Sequence, residues 1–561
     1  MGAQGVVIQR GPSADVVRSK RRPTKASVLA AAALLGFAAP AIAYLLFIHQ
    51  YGVDVPVQDQ WVNFTLLGHS FAGTLSFGDL WAQHVTERML FPNLIVLLLG
   101  HATHFNLFVE MYLSAILLFA ATGFIILAHK RRSPSTPWIF YCPVALMMWS
   151  FAQFEDALWG FQIAWYLIIA AFGVAVFLLD GPKLSWLALA GAAVAAIVGS
   201  YSSIQGLFIW VAGWLLLYQR RRSRQMVLAW LIVAVATAVG YFHNYVPISG
   251  RYYWVHHPVT TIKLFFLAIG TIIAQPTPNR GDNAYLLVGM LIFLIGAWVV
   301  IRFGLRRDES TAAPIGVALI CFGVVFAAAV AVGTVSFFGA WLGTGSRYAP
   351  NVLLIPVGSY LVLLPRPVSR TPSGSRAAVG WGPVRVCMVG VVCLQVVLGT
   401  INGIQGGRKS HQTRLVAANV VVNIEQATIE EIWYAIFWPP PPGSIALMRS
   451  HHLSLFGTSA ASSYAREGLA IAPTFLAFSP SGRHVLVVHA HAFSEEVITN
   501  GVPPPAIVSR NLPPSLVLVD HHNGTATLSG VGPLTRSARF ALSAVNKGGR
   551  FNQVFFLIVK G

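Results

Sequence analysis

The feature that most constrains this chain is a recurrence of apolar runs, each about 16 to 22 residues long, separated by short polar or basic connections. A run of that length crosses the hydrocarbon of a bilayer as a helix, where the backbone must satisfy its own hydrogen bonds. Runs at 28–48, 107–128, 137–152, 157–179, 184–200, 205–219, 226–243, 283–301, 312–332, 347–364 and 381–401 read as spans. Two shorter segments, 90–101 and 262–274, read as interfacial or re-entrant. The expected fold is a polytopic α-helical membrane protein of about 11–13 spans. A composition 55% hydrophobic and only 10% charged excludes an ordinary soluble domain.

The formal net charge of +19 raises the question of nucleic acid. The basic residues, however, cluster between apolar runs, at 18–25, 130–132, 220–224, 302–307 and 366–376. Lys and Arg placed this way orient helices and meet anionic headgroups, whereas a nucleic-acid groove gathers its charge on one soluble face. Nucleic acid is therefore not expected as a partner; membrane lipid is. The same rule sets the orientation, with the N-terminus cytoplasmic and the loop after the first span outside. The Ala41-Ile42-Ala43 triplet resembles a signal-peptide cleavage site, but the apolar run continues to Ile48 and reads as an uncleaved anchor. All four cysteines fall in apolar runs, without zinc-ligand spacing.

The chain divides into a basic cytoplasmic tail (1–25), a transmembrane domain (26–401) with a first outer loop at 49–93, an amphipathic connector (402–442) and a β-rich extracytoplasmic domain (443–561). The break at 439–443, Pro-Pro-Pro-Pro-Gly, is stiff. Beyond it, short apolar runs at 484–489, 516–519, 525–528 and 554–559 read as strands, and 520–524 reads as a hairpin turn.

Polar residues beside the membrane are the candidates for chemistry. Asp59 stands between Gln58 and Gln60, with Trp61 next to it. A partly desolvated carboxylate there can take a proton from a hydroxyl; the same residue can cap a helix starting at Gln60. Asp54, followed by Val-Pro, reads as a turn residue. His84, Glu87 and Arg88 fall at i, i+3 and i+4, one face of a helix. Arg88 can bind a phosphate oxygen with His84 or Glu87 holding it, or the three form an interfacial ion pair. Glu110 sits just inside a span, and Glu155-Asp156 just outside another. Trp159 and Gln162 flank Gly160, which permits close approach; the tryptophan is either an interfacial anchor or a sugar platform. Arg251 stands before Tyr252, Tyr253 and Trp254, a setting that suits a polyanion, a sugar or an aromatic belt. Arg347, followed by Tyr348, opens a span from the outer side. An Arg there runs against the orientation bias and calls for a phosphate or a carboxylate.

This pattern resembles the GT-C superfamily of membrane glycosyltransferases. The likeness covers residues 26–401 in architecture. At residue level it rests on Asp59-Gln60-Trp61, on 83–88, on Ser346-Arg347-Tyr348 and on 452–456. It is most similar to bacterial members that use polyprenyl-phosphate sugars. Many GT-C enzymes carry two adjacent acidic residues in the first loop, whereas here glutamines flank Asp59. The resemblance implies an inverting transfer from a polyprenyl-phosphate sugar donor to a cell-envelope glycan or lipid acceptor on the outer face of a bacterial plasma membrane. It makes Asp59 the general base and has Arg88 and Arg347 neutralise the leaving phosphate. Gln60, Trp61, His84, Glu87, Trp159, Gln162, Arg251 and Tyr348 complete the expected substrate contacts. No cofactor is expected, and ligand spacing does not support a divalent cation. Two other classes stay open: a non-catalytic envelope assembly protein, and a lipid-linked sugar flippase or transporter. The latter would need polar residues through both leaflets, and here they gather on one face.

Overall fold

A computed structural model describes residues 25–247, 253–273, 283–304, 311–337, 345–364, 382–479, 482–489, 492–509, 511–530 and 536–560. The first part holds α1 (Lys25–Tyr51), α2 (Val62–Phe71), α3 (Phe77–Trp81), the short strands β1 (Gln83–His84) and β2 (Glu87–Arg88), α4 (Leu90–Thr103) and α5 (Leu107–Arg132). Next come α6 (Cys142–Met148), α7 (Phe154–Leu158), α8 (Ile163–Leu179), α9 (Trp186–Ser200), α10 (Phe208–Gln219) and α11 (Arg224–Phe242). After them lie α12 (Tyr253–His256), α13 (Pro258–Gly270), α14 (Asn283–Phe303), α15 (Ala313–Phe337), α16 (Ala349–Val352), α17 (Leu354–Leu363) and α18 (Gly382–Val422).

Seven helices among the described residues are long and apolar enough to cross a membrane: Ser27–Tyr51, Leu107–Arg132, Gly160–Leu179, Arg224–Phe242, Asn283–Gly304, Ala313–Gly333 and Gly382–Val422. Four apolar helices are shorter: Leu90–Thr103, Trp186–Ser200, Ile204–Gln219 and Pro258–Ile273. The outward row of α11, Leu228, Ile232, Val235 and Val239, is exposed and wholly apolar. Water would penalise such a face and lipid tails do not.

Two of the runs expected to span are divided into short pieces. The 137–152 run becomes the 3₁₀ turn Trp138–Tyr141, the seven-residue α6 and the 3₁₀ turn Phe151–Gln153. Pro143 sits in the first turn of α6, where its missing N–H costs nothing. The 347–364 run likewise divides into the 3₁₀ turn Ser346–Tyr348, α16 and α17, with Pro350 opening α16.

Asp180, at the end of α8, joins the 130–132 and 220–224 basic clusters at one end of the bundle. The fully buried carboxylate accepts from Arg132 Nε at 2.9 Å and Arg220 Nε at 2.6 Å. At the opposite end the first loop is tied down by Asp54. Its Oδ1 accepts the backbone N–H of Leu107 at 3.1 Å and the Ser454 hydroxyl at 2.8 Å. Burial raises the Asp54 pKa, and these two donors counter the rise.

The connector is not a separate helix. α18 runs unbroken for 41 residues, about 60 Å at 1.5 Å per residue, twice the thickness of bilayer hydrocarbon. Its side meets α7 so closely that a Cβ on Gly406 would stand 2.4 Å from the Phe154 ring. Where it passes the end of α1, His411 Nδ1 bonds the Tyr51 carbonyl at 3.2 Å. Beyond it lie α19 (Ile429–Ile436), α20 (Ser444–Ser450) and α21 (Ser459–Glu467). Met448, Leu453, Leu455, Leu469 and Ile471 pack in the same core as the membrane helices. Composition places the domain break near Pro442, but a second core starts only at Leu476.

That second core is a β-sandwich built from β3 (Leu476–Phe478), β4 (Val485–His489), β5 (Phe493–Thr499), β6 (Ala506–Ser509), β7 (Leu516–Asp520), β8 (Thr525–Gly530), β9 (Ala538–Asn546) and β10 (Gly549–Lys560). One sheet has the order β4-β10-β9-β6 and the other β3-β5-β8-β7. Among the described strands only the β4–β10 pairing is parallel. Burial alternates along β8, as in a strand with one face toward the core. Phe540, Phe555, Leu542 and Leu557 from one sheet meet Val497, Ala526 and Leu528 from the other. The expected 520–524 turn joins β7 to β8, with His522 and Gly524 at positive φ.

Candidate functional site

Three short segments converge at the end of the bundle that carries the first loop: the 3₁₀ turn Gln58–Trp61, the stretch from α7 to Gln162, and the 3₁₀ turn Ser346–Tyr348. Each leads directly into a helix with a buried face.

Asp59 sits in the first turn, after Gln58, which adopts a φ of 54°, a region L-residues visit seldom. The N-cap of that turn is Val57, and no side chain caps it. Asp59 therefore does not serve as the cap that spacing allowed. Its side chain is 45% exposed, and the His84 imidazole Nε2 stands 3.9 Å from its Oδ1. Gln60 and Trp61 turn the other way. Gln60 is buried and donates to Glu110 Oε2 at 2.8 Å. Trp61 packs on Phe64 in the core, with ring centroids 5.4 Å apart. Both anchor the turn rather than face a ligand. Gly160 explains how Glu110 fits: a Cβ there would lie 2.1 Å from its carboxylate.

The 83–88 segment is a hairpin, not the helix its spacing suggested. Gln83 pairs with Arg88 and His84 with Glu87 across a turn in which Val85 has a φ of 53°. Strand geometry sends Glu87 and Arg88 to opposite faces. Glu87 accepts from the Ser203 hydroxyl and from the Ile204 N–H at 2.7 Å. Arg88 is buried and spends its guanidinium on carbonyls of Trp81 (2.7 Å), His243 (2.8 Å), Asn244 (3.3 Å) and Tyr241 (3.4 Å). It holds the hairpin against the end of α11 and is not turned toward Asp59. The phosphate role expected for Arg88 gives way to this clamp.

Glu155 organises the third segment. Its Oε2 accepts from the Ser346 hydroxyl and the Arg347 N–H, both at 3.0 Å, and its own N–H donates to Ser346 Oγ at 3.1 Å. Among the described residues no carboxylate lies within 4 Å of the Arg347 guanidinium, whose one hydrogen bond there is a 3.5 Å contact to the Tyr348 hydroxyl. Burial works against its charge, but Tyr348, Glu155 and Asp59 hold its pKa above the ordinary arginine value. Asp156 is fully buried, and neither carboxylate oxygen accepts a hydrogen bond. Burial, and then Glu155 beside it, push its pKa well above the usual carboxylate range, while Arg347 opposes the shift.

The other expected contacts are placed as follows. Trp159 is buried and stacks on Phe161 at 5.5 Å, so it offers no open sugar platform. Gln162 is buried with its Oε1 unpaired. Tyr348 is buried against Trp165. Arg251 lies outside the described residues. Among the described residues, no three His, Cys, Asp or Glu side chains converge as a metal would require.

A cavity of about 140 Å³ opens beside His84, with Asn63, His69, Asp79 and Gln83 set among apolar side chains such as Leu66, Met89 and Phe161. The larger apolar groove, about 530 Å³, lies between the first half of α1 and the second half of α5, toward the Lys130 end rather than beside this loop. Sequence reasoning passed over Arg414. It projects inward from α18, is 8% exposed and makes no hydrogen bond or ion pair among the described residues. Its charge acts on the same Glu155 that clamps Arg347. Set beside protein-family models, curated proteins and solved structures, the chain matches none of them.

Proposed function

We propose that this membrane protein is an inverting glycosyltransferase that moves a sugar from a polyprenyl-phosphate donor to a cell-envelope glycan or lipid acceptor. One observation carries the reading. Asp59, a reachable carboxylate without a structural bond, lies near enough to Arg347 to act on its charge, and among the described residues no carboxylate bonds the Arg347 guanidinium directly. A transfer of this kind needs both signs of charge. The acceptor hydroxyl gives its proton to Asp59 as its oxygen bonds to the sugar's anomeric carbon. The bond from that carbon to the phosphate oxygen breaks, and the phosphate leaves with the electron pair. Arg347 balances the charge that develops there. Glu155 holds Arg347 in register, and the hairpin clamped by Arg88 and Glu87 carries His84 to Asp59.

Purified protein in nanodiscs, given polyprenyl-phosphate sugars and an envelope glycan acceptor, should release polyprenyl phosphate in step with glycosylated acceptor. No release with any of several donors would favour an assembly protein.

On this reading the site faces outward and the basic clusters face the cytoplasm of a bacterial cell. A cysteine replacing Ser462, on the exposed side of α21, should react with an impermeant reagent added to intact cells. Labelling only after lysis would reverse the orientation, and the site with it.

A further inference from the structure

The cavity of about 140 Å³ beside His84 adjoins the proposed base, and the transfer of charge between Asp59 and Arg347 gives it no occupant. Its wall is built from α2 and the 79–84 stretch, with Met89, Asn93 and Phe161 added. At roughly 10–15 Å³ for each water such a space must hold, it takes on the order of ten waters. That is about the heavy-atom count of one hexose.

Charge decides what kind of molecule fits. Among the described residues the wall carries no Lys or Arg, while Asp79 contributes a carboxylate. An anion placed there would meet a like charge and no counter-charge, so the donor's phosphate belongs elsewhere. The polar groups suit hydroxyls. Ser76 hydrogen bonds hold the Asp79 pKa below the ordinary carboxylate value, and an ionised carboxylate only accepts. Its 2.9 Å bond with His69 therefore places a proton on His69 Nδ1 and leaves Nε2 of the neutral ring as an acceptor. Asn63 supplies the opposite function. It is 3% exposed, and its amide Nδ2 donates to nothing among the described residues. His84 Nε2 also makes no hydrogen bond there, and its 3.9 Å separation from Asp59 is beyond bonding range. Leu66, Met89 and Phe161 give the same space an apolar wall. A sugar ring makes both demands, with hydroxyls around its rim and C–H groups on its faces.

We infer that this cavity is the subsite for one uncharged sugar ring of the acceptor, held by Asn63 and His69, with its reacting hydroxyl at the His84 edge beside Asp59. The inference deepens the proposed function by making the acceptor a glycan rather than a lipid alcohol, and the acceptor role rests on that reading. That the cavity takes a neutral sugar does not.

Two variants test the site from the exposed face of α2, where Thr65 and His69 both lie. Thr65→Trp fills the cavity. His69→Phe keeps a ring without its nitrogens, and Asp79 retains its 2.7 Å bonds from Ser76. Both variants should melt near wild type; if Thr65→Trp does not, His69→Phe decides. Saturation-transfer NMR and thermal shift would read binding to the full-length protein in phosphatidylcholine nanodiscs. The probes are the methyl glycosides of glucose, galactose, mannose and arabinose. At least one should bind wild type and raise its melting temperature with concentration. His69→Phe should weaken that affinity by about 5- to 10-fold, the scale of one hydrogen bond, and Thr65→Trp should abolish it. In transfer assays His69→Phe should raise the acceptor KM by a similar factor, with kcat within a few-fold and donor binding unchanged. Methyl glucuronide, which adds a carboxylate, should bind more weakly than methyl glucoside. Equal glycoside binding in wild type and either folded variant overturns the inference. So does glucuronide binding as tight as that of glucoside, or no binding of any of the four. Transfer to a long-chain alcohol that Thr65→Trp leaves unchanged removes the sugar subsite while glycosyl transfer stands. Glycoside binding that Thr65→Trp abolishes, with no transfer from any donor, keeps the sugar site and removes the transferase reading.

Discussion

Replacing Asp59 by asparagine should lower turnover by ~10²–10⁴-fold, the usual contribution of a general base, with donor binding preserved. The amide keeps the size and polarity of the carboxylate but cannot accept the proton of the acceptor hydroxyl. A purely local role predicts another result, because asparagine caps a helix about as well as aspartate, and Asp59 caps nothing in this structure. Asp54→Asn is the matched control. Asp54 lies in the same loop, but its Oδ1 already holds Leu107 and Ser454, and an amide oxygen can accept both bonds. That variant should stay within a few-fold of wild type. Near-normal turnover of Asp59→Asn at saturating donor would remove Asp59 from the chemistry.

The second large effect concerns stability at the far end of the bundle. Asp180→Ala should destabilise the protein by about 3–5 kcal/mol, the cost of breaking a buried ion pair from one side. Asp180 is fully buried, and Arg220 beside it is 3% exposed. Removing the carboxylate takes from Arg132 and Arg220 the buried acceptor they share. Denaturant titration in mild detergent would measure the loss. The folded fraction should retain wild-type turnover, because Asp180 is remote from Asp59. A loss below about 1 kcal/mol would mean that carbonyls such as Thr311 O, 2.7 Å from Arg220 Nη1, suffice to hold the cluster.

The membrane character and the strand-rich C-terminal region were legible because hydropathy and period-two alternation are local signals. The 520–524 turn was legible for the same reason. The 83–88 hairpin was not. His84, Glu87 and Arg88 fit a helical face by spacing alone, and the decision belongs to distant groups. The Tyr241 hydroxyl bonds the Arg88 N–H at 3.0 Å, and carbonyls of 241–244 take its side chain. No window around residue 88 contains that information. Asp59 could be picked out by its setting, but Gln60 and Trp61 point inward because Glu110, fifty residues away, offers an acceptor. Arg414 was in principle readable. Gln395, Gly399, Gly403 and Gly407 are the buried face of α18, and their four-residue row reaches residue 414 two turns later. The polar character of 408–414 hid that continuation behind the appearance of a solvated connector.

The unbroken α18 also has a mechanical consequence. Near its end, Asn419 bonds the Gly468 carbonyl at 3.0 Å and the Ala470 N–H at 2.7 Å, just before the chain enters the sandwich. The same rod carries Arg414 about a turn and a half below. Between Arg414 and Asn419 the helix carries neither proline nor glycine, the usual sites of a kink. Load that reaches Asn419 through residues 468–470 is therefore passed to the stretch of α18 that carries Arg414.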